Sequence, residues 1–264
     1  MDWRARKQLT IVAVVFLVIA GILVGLYYAF LHTPSTCTDN KRNQGEEEID
    51  CGGPCVPCAF KHQKEVEVFF TRFVKVRENN YDIVAQIQNP NEHLAGNPVA
   101  YRVKLFDDQG AEVGRRENIT YIDANDKIYV VESNFVTKRN VTKAEMQILP
   151  NATTWSYTNA VRPDIQVGNK RYETAEEGGR EIGRVSADVT NQSNFAYRRM
   201  NVRVALIDVA GNIAAVAGTY LENVKPGESR KVEFTWPEKP VGEITRVDME
   251  ARANSLDRSN LLIQ

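Results

Sequence analysis

The chain has 264 residues, a formal net charge of −1, 43% hydrophobic residues and 25% charged ones. These proportions belong to folded globular material and exclude a largely disordered chain, while the length leaves room for about two domains of ordinary size. A charge so close to zero gives no electrostatic basis for a nucleic-acid partner.

The first element is an uncharged apolar run of 22 residues, Thr10 to Leu31. At about 1.5 Å per helical residue it crosses a hydrocarbon core of roughly 30 Å. Arg4, Arg6 and Lys7 outweigh Asp2 ahead of the run, so residues 1–9 read as a cytoplasmic tail and everything after 31 as extracytoplasmic. Trp3, Tyr27 and Tyr28 sit where amphipathic rings meet the two headgroup layers. A cleaved signal peptide has a shorter apolar core, roughly 7 to 15 residues, and a small-residue cleavage site. Neither is present, so 10–31 reads as an uncleaved signal anchor in the cell membrane. Gly21 and Gly25 form a GxxxG spacing that lets two such helices approach closely, which makes a homo-oligomer through the span an expectation.

The neck, 32–61, holds every cysteine of the chain: Cys37, Cys51, Cys55 and Cys58. In an oxidising compartment this even, tight set predicts two disulfides, and the three pairings it allows stay open. Two other readings compete. Four thiolates could bind zinc, since Cys55-Val-Pro-Cys58 has ligand spacing. Cys55 and Cys58 could also act as a thiol redox pair, although no thioredoxin-like βαβ pattern follows them. Asp39, Asn43, Glu46, Glu48 and Asp50 concentrate oxygen in the same loop and are candidate ligands for calcium. The alternative is a solvated acidic loop held by its disulfides, because EF-hand spacing is absent. The segment resembles a small cysteine-rich module of secreted and surface-anchored proteins, with the pattern CxDxxxNxxExxxDCGGxCxxC. It matches at Cys37, Asp39, Asn43, Glu46, Asp50, Cys51, Gly52, Gly53, Cys55 and Cys58. The resemblance implies an extracellular spacer or stalk, and the paired glycines permit a tight turn with positive φ.

From about Lys64, short alternating runs rich in Val, Ile, Phe and Tyr are separated by Asn, Asp, Gly and Pro, the pattern of strands. The chain repeats itself at an offset of 101 residues, Tyr101–Gly110 aligning with Val202–Gly211. Upstream, Ile83, Ala85, Ile87 and Asn89 match Val185, Ala187, Val189 and Asn191; downstream, Met146 and Ile148 are set against Val247 and Met249. Two copies of one β domain follow, 62–152 and 153–264, each with the size and rhythm of an immunoglobulin-like sandwich. The whole is therefore mainly β: a transmembrane helix, a small disulfide-rich module and two tandem sandwiches.

The run Val103-Lys-Leu105-Phe106-Asp107 and its counterpart Val204-Ala-Leu206-Ile207-Asp208 resemble the FxLYD type of sandwich. That resemblance implies a non-catalytic extracytoplasmic domain. Val103 and Leu105 are expected in the core, and Asp107 and Asp208 as turn formers. Glu176 to Gly179 reads as a hairpin turn, and the segment Pro150 to Pro163, with Trp155 and Tyr157, as a packed junction favouring a semi-rigid rod. Arg198 and Arg199, the densest basic pair, lie on opposite faces of a strand and do not act together. Sequons at Asn118, Asn140, Asn151 and Asn191 are candidate glycosylation sites.

The three histidines, His32, His62 and His93, belong to no catalytic motif, and phosphate-cradling glycine loops are missing, so no catalytic residue is assigned. The expected function is interaction or scaffolding beside the bilayer with an unidentified envelope or surface protein. Assembly of a larger envelope or pilus-like machine is the alternative, and thiol redox activity through Cys55 and Cys58 the third.

Overall fold

A computed structural model describes residues 3–31, 36–43 and 45–262, without the side chains of Arg4, Ala5 and Leu31. Asp2 and His32, both used in the sequence reading, lie outside the described residues. The chain divides into two compact units, Met1–Lys61 and His62–Gln264.

In the first unit, α1 (Trp3–Leu26) continues into a π-helical turn, Tyr27–Leu31. Its stretch Arg6–Phe30 is long and apolar enough to cross a membrane, and none of it is buried inside the chain. A core helix of a soluble domain would bury one stripe, whereas this helix is apolar all round. Among its described residues the neck has little regular structure: an isolated bridge between Glu48 and Cys51, and one turn, α2 (Cys58–Lys61).

The second unit is all antiparallel sheet. Its first sandwich comprises β1 (Glu67–Arg77), β2 (Asn80–Gln88), β3 (Leu94–Phe106), β4 (Glu112–Ile122), β5 (Lys127–Val136), β6 (Lys143–Ile148) and β7 (Trp155–Tyr157). One sheet has the order β1-β2-β5, the other β4-β3-β6 with β7 added to the start of β3. The second copy is built from β8 (Ile165–Glu177), β9 (Arg180–Asn191), β10 (Ala196–Asp208), β11 (Ile213–Val224), β12 (Ser229–Trp236), β13 (Ile244–Ala253) and β14 (Leu261–Leu262). Its sheets are β12-β9-β8 and β11-β10-β13, with β14 beside β10.

Each core follows from strict alternation, which sends every second side chain to one face. Ile83, Ala85, Ile87, Val103 and Leu105 are buried in the first, and Val185, Ala187, Val189, Val204 and Leu206 in the second. The hairpin read at Glu176 to Gly179 is present: Gly178 and Gly179 both adopt positive φ between β8 and β9. The turn reading of the two aspartates also holds. Asp107 Oδ1 accepts from the amides of Gln109 and Ala111, Asp208 Oδ1 from that of Asn212, and Gly110 and Gly211 follow with positive φ.

Three details differ from the sequence reading. In the last matched strand Val103 pairs with Met146 and Val204 with Met249, so Met146 corresponds to Met249 and the alignment to Val247 is two residues out of register. Because side chains repeat every two residues along a strand, a slip of two preserves the apolar face and is invisible to pattern matching. Trp155–Tyr157, assigned with the second copy, pairs with Leu94–Gly96 and completes the first. The two sandwiches, finally, do not form an end-to-end rod. The outward face of β1-β2-β5 packs on the outward face of β11-β10-β13, giving four stacked sheets whose middle contact buries Val84, Ala205 and Val216, flanked by Phe70, Tyr129, Val131 and Ile213.

Candidate functional site

Two regions concentrate chemistry, the neck and the seam between the sandwiches. In the neck, the cysteines form two interleaved disulfides, Cys37–Cys55 and Cys51–Cys58. Two outcomes follow. A zinc site of four thiolates is gone, because a disulfide sulfur is not a thiolate ligand. Cys55 and Cys58 belong to different bridges, so they are not a dithiol–disulfide couple. Gly52 and Gly53 have φ of +80° and +57°, and a Cβ at Gly53 would lie 2.4 Å from Gly45 O, which explains the paired glycines.

Of the candidate calcium ligands, Asp39, Glu46 and Asp50 point oxygens at the loop's own donors, whereas the buried Asn43 Oδ1 has no hydrogen-bond partner. Asp39 accepts from the Lys41 amide and from Asn43 Nδ2, both at 2.8 Å. Glu46, only 5% exposed, accepts through Oε2 from the amides of Asn43 and Asp50. Both Asp50 oxygens accept from the Asn40 amide at 3.1 Å. Glu48 is exposed, and its backbone bridges to Cys51. Cys37, Glu46 and Cys55, and likewise Glu48, Cys51 and Cys58, gather within 4.8 Å, but their sulfurs are covalently spent. Carboxylates that cap amides in this way hold a small loop in one conformation without a cation.

The seam is an apolar centre ringed by charge. Asp126, with a side chain 2% exposed, is gripped by Arg162 from the connection between the copies and by Arg252 of β13 at 2.7 Å. Arg252 also donates to Lys127 O, and the Tyr129 amide of edge strand β5 donates to Glu250 at 3.0 Å. Tyr129 Oη donates to Asp248 at 3.2 Å. Burial raises the Glu250 carboxyl above its ordinary range, against the opposing pull of Arg203 and Arg252. Asp123 is pushed up to about 6, first by burial and then by the neighbouring Asp126.

Open clefts flank the seam. One of about 1000 Å³ lies beside Asp123, Arg162 and Arg252. Another of about 670 Å³ runs between β4–β5 of the first copy and β10–β11 of the second. On β10 nearby, the arginines take separate partners: Arg198 donates to Ser259 O, Arg199 stacks 3.8 Å from the centre of the Tyr220 ring, and Arg203 pairs with Glu250 at 3.5 Å.

Asn191 is a correction. It is fully buried, and its Nδ2 donates to the carbonyls of Phe195, Val224 and Lys225, so the folded domain has no room for a glycan there. Its counterpart Asn89 is equally buried and donates to Leu94 O and Asp123 O. The repeat had paired these two asparagines, and two polar residues closing otherwise apolar alternating runs were the signal for a clamp. Asn118, Asn140 and Asn151 are exposed. Gly21 and Gly25 are exposed on α1 with nothing within 4 Å of a Cβ at either. His93 lies 5.9 Å from the Tyr157 ring at the β3–β7 pairing.

No family model matches the chain, and no curated protein matches it. Among solved structures, a red sea bream transglutaminase aligns at 10% identity over 71% of this chain and 29% of its own, with a TM-score of 0.23. The N-terminal CBM22-1-CBM22-2 tandem domain of Paenibacillus barcinonensis Xyn10C aligns at 9% identity, covering 73% of this chain and 84% of that one, with a TM-score of 0.15. The chain spans less than a third of the transglutaminase chain, and at these TM-scores neither likeness carries an argument about function. The assignment to β-sandwiches rests on the strand pairing itself.

Proposed function

We propose that this chain is a non-catalytic, membrane-anchored scaffold. Its α1 is an uncleaved anchor with the basic tail in the cytoplasm, and its paired sandwiches, of the FxLYD kind that their motifs resemble, form one extracytoplasmic body for a surface or envelope partner. The observation that carries the reading is the seam. Asp126 held by two arginines over a buried apolar centre fixes two domains as one rigid surface, which suits presentation better than the mobile jaws of a closing enzyme. Two disulfides in the neck support the extracytoplasmic side.

Proximity labelling in living cells from a tag on the second sandwich tests this. Recovery of membrane and extracytoplasmic proteins is expected, and recovery of cytoplasmic proteins alone would overturn the orientation.

A second reading, assembly through the span itself, is favoured by the bare Gly21 and Gly25 on α1. Crosslinking in membranes with both glycines replaced by Ile separates the two: loss of an oligomer supports assembly, an unchanged pattern supports a simple anchor.

A further inference from the structure

The cleft of about 1000 Å³ beside the seam holds a carboxylate that the fold leaves without a donor. Asp123 is 8% exposed, and among the described residues nothing donates a hydrogen bond to its carboxylate, whose oxygens are not sealed from solvent. Burying a carboxylate in this way costs stability unless a donor or a counter-cation meets it. Arg162 and Arg252, the cations nearby, both donate to Asp126, and Arg252 gives its other terminal nitrogen to Lys127 O. The clamp does not call for an acid either. Asn89 uses the backbone carbonyl of Asp123, and the clamp of the second copy meets Lys225 at the same place.

The rest of the lining adds charge of the same sign. Glu92 and Asp164 are exposed and form no ion pair, whereas Glu250 is met by the Tyr129 amide, Arg203 and Arg252. Glu92, Asp123 and Asp164 are thus open, while both arginines of the lining are engaged and His93 rests beside the Tyr157 ring. Between the carboxylates the wall is apolar, with Val161, 93% exposed, Pro163, Ile165 and Leu256.

The cation that suits this wall is an ammonium on a methylene chain. A divalent metal ion needs several oxygens converging on one point, and among the described residues such groups gather only in the neck. A quaternary ammonium needs an aromatic cage, and no Phe, Tyr or Trp lines the cleft. A guanidinium is broad and planar, whereas an ammonium is a compact charge with three donors, fitted to a carboxylate with so little surface open. Several ammoniums on one chain could each meet a carboxylate while the methylenes between them lie on the apolar wall.

We propose that this cleft binds a linear polyamine, with one ammonium on Asp123, others on Glu92 and Asp164, and the methylene chain against Val161 and Pro163. The inference goes beyond the scaffold reading and is independent of the orientation of the chain in the membrane.

The test is calorimetric titration of the full-length chain in phosphatidylcholine nanodiscs, which carry no net charge, with spermidine at neutral pH and physiological ionic strength. Magnesium chloride and trilysine are the comparators. Spermidine is expected to bind at a single site. Asp123→Asn should weaken that binding about tenfold or more while the thermal midpoint holds or rises, because the variant removes a costly buried charge. The double variant Glu92→Gln, Asp164→Asn, at exposed positions, should weaken it several-fold and carries the test if Asp123→Asn misfolds. Failure of spermidine to bind at millimolar concentration, or an affinity unchanged in both variants, would overturn the proposal. Displacement of spermidine by an equal concentration of magnesium would also overturn it, by showing diffuse attraction to acidic surface. Tighter binding of trilysine than of spermidine, lost in Asp123→Asn, would overturn the free polyamine and give the site to the lysines of a protein partner.

Discussion

The two sandwiches share a fold and a repeat, yet one outward face of each has been remade. Strand pairing sets Lys104, Glu112, Arg115 and Glu117 of the first copy in the same places as Ala205, Ile213, Val216 and Gly218 of the second. On the other sheet, Val84, Tyr129 and Val131 of the first copy stand where the second has Ser186, Lys231 and Glu233. Where the faces are free they are laced by ion pairs: Arg102 with Glu117, Arg115 with Glu112, and Lys231 with Glu233. Where they meet, the charges are replaced by small and apolar side chains. The difference between the copies is therefore the code for the stack, and the common part is the code for the fold.

The largest expected effect comes from undoing that difference at its centre. Ala205→Lys gives the second copy the first copy's residue and buries an unpaired ammonium in the seam. A loss of about 3 to 5 kcal/mol is expected, with one urea transition resolving into two as the sandwiches separate. A single undiminished transition would show that the seam does not couple them.

The shared clamp should sharpen the comparison from the other side. Asn89→Ala and Asn191→Ala each leave buried carbonyls unpaired and should each cost about 3 kcal/mol in chemical denaturation. Costs that differ widely would mean the two clamps are not equivalent.

A smaller effect is tied to pH and to one copy only. The second copy has Lys225 in the place of Asp123. The Asp123 carboxyl titrates near 6 in the folded chain against an ordinary 3.8, so the folded state holds its proton more tightly than the unfolded one. Its contribution is favourable while both states are protonated, declines as pH rises from about 4 to about 6, and levels off above, a change of roughly 2 to 3 kcal/mol. Asp123→Asn should flatten this part of the stability-pH profile, measured by denaturation across that window. A profile of unchanged slope would place the titration elsewhere.

The smallest effect belongs to the free face. Lys104→Ala, the exchange already made in the second copy, removes only a 3.8 Å surface pair with Glu112 and should change stability by no more than about 0.5 kcal/mol. A larger loss would give the free face a structural role that its ion pairs do not explain.

Much of this architecture was legible in the residues themselves. Alternation at Ile83-Ala85-Ile87 and Val103-Leu105 located the strands and the core, because burial on one face of a sheet has a period of two. The Glu-Glu-Gly-Gly turn and the aspartate-glycine turns were readable because positive φ selects few residues. The cysteine pairing was not, since four equivalent thiols leave three solutions and only the path of a loop chooses. Nor was the stack. A repeat is found by looking for sameness, whereas the seam is written in the outward positions where Lys104 of one copy is Ala205 in the other and Tyr129 is Lys231. The clamp at Asn191 was hidden for a related reason: a three-residue sequon records chemistry available to an exposed asparagine and is silent about burial.

The contact between the copies joins unlike faces, a β1-β2-β5 type sheet to a β11-β10-β13 type sheet, and unlike faces have no rotation that closes them into a pair. Repeated from molecule to molecule, such a union would build a closed ring or an open filament. The two sheets that end the stack carry ion pairs in place of the apolar side chains of its middle contact, so neither offers the surface that such a repeat would need.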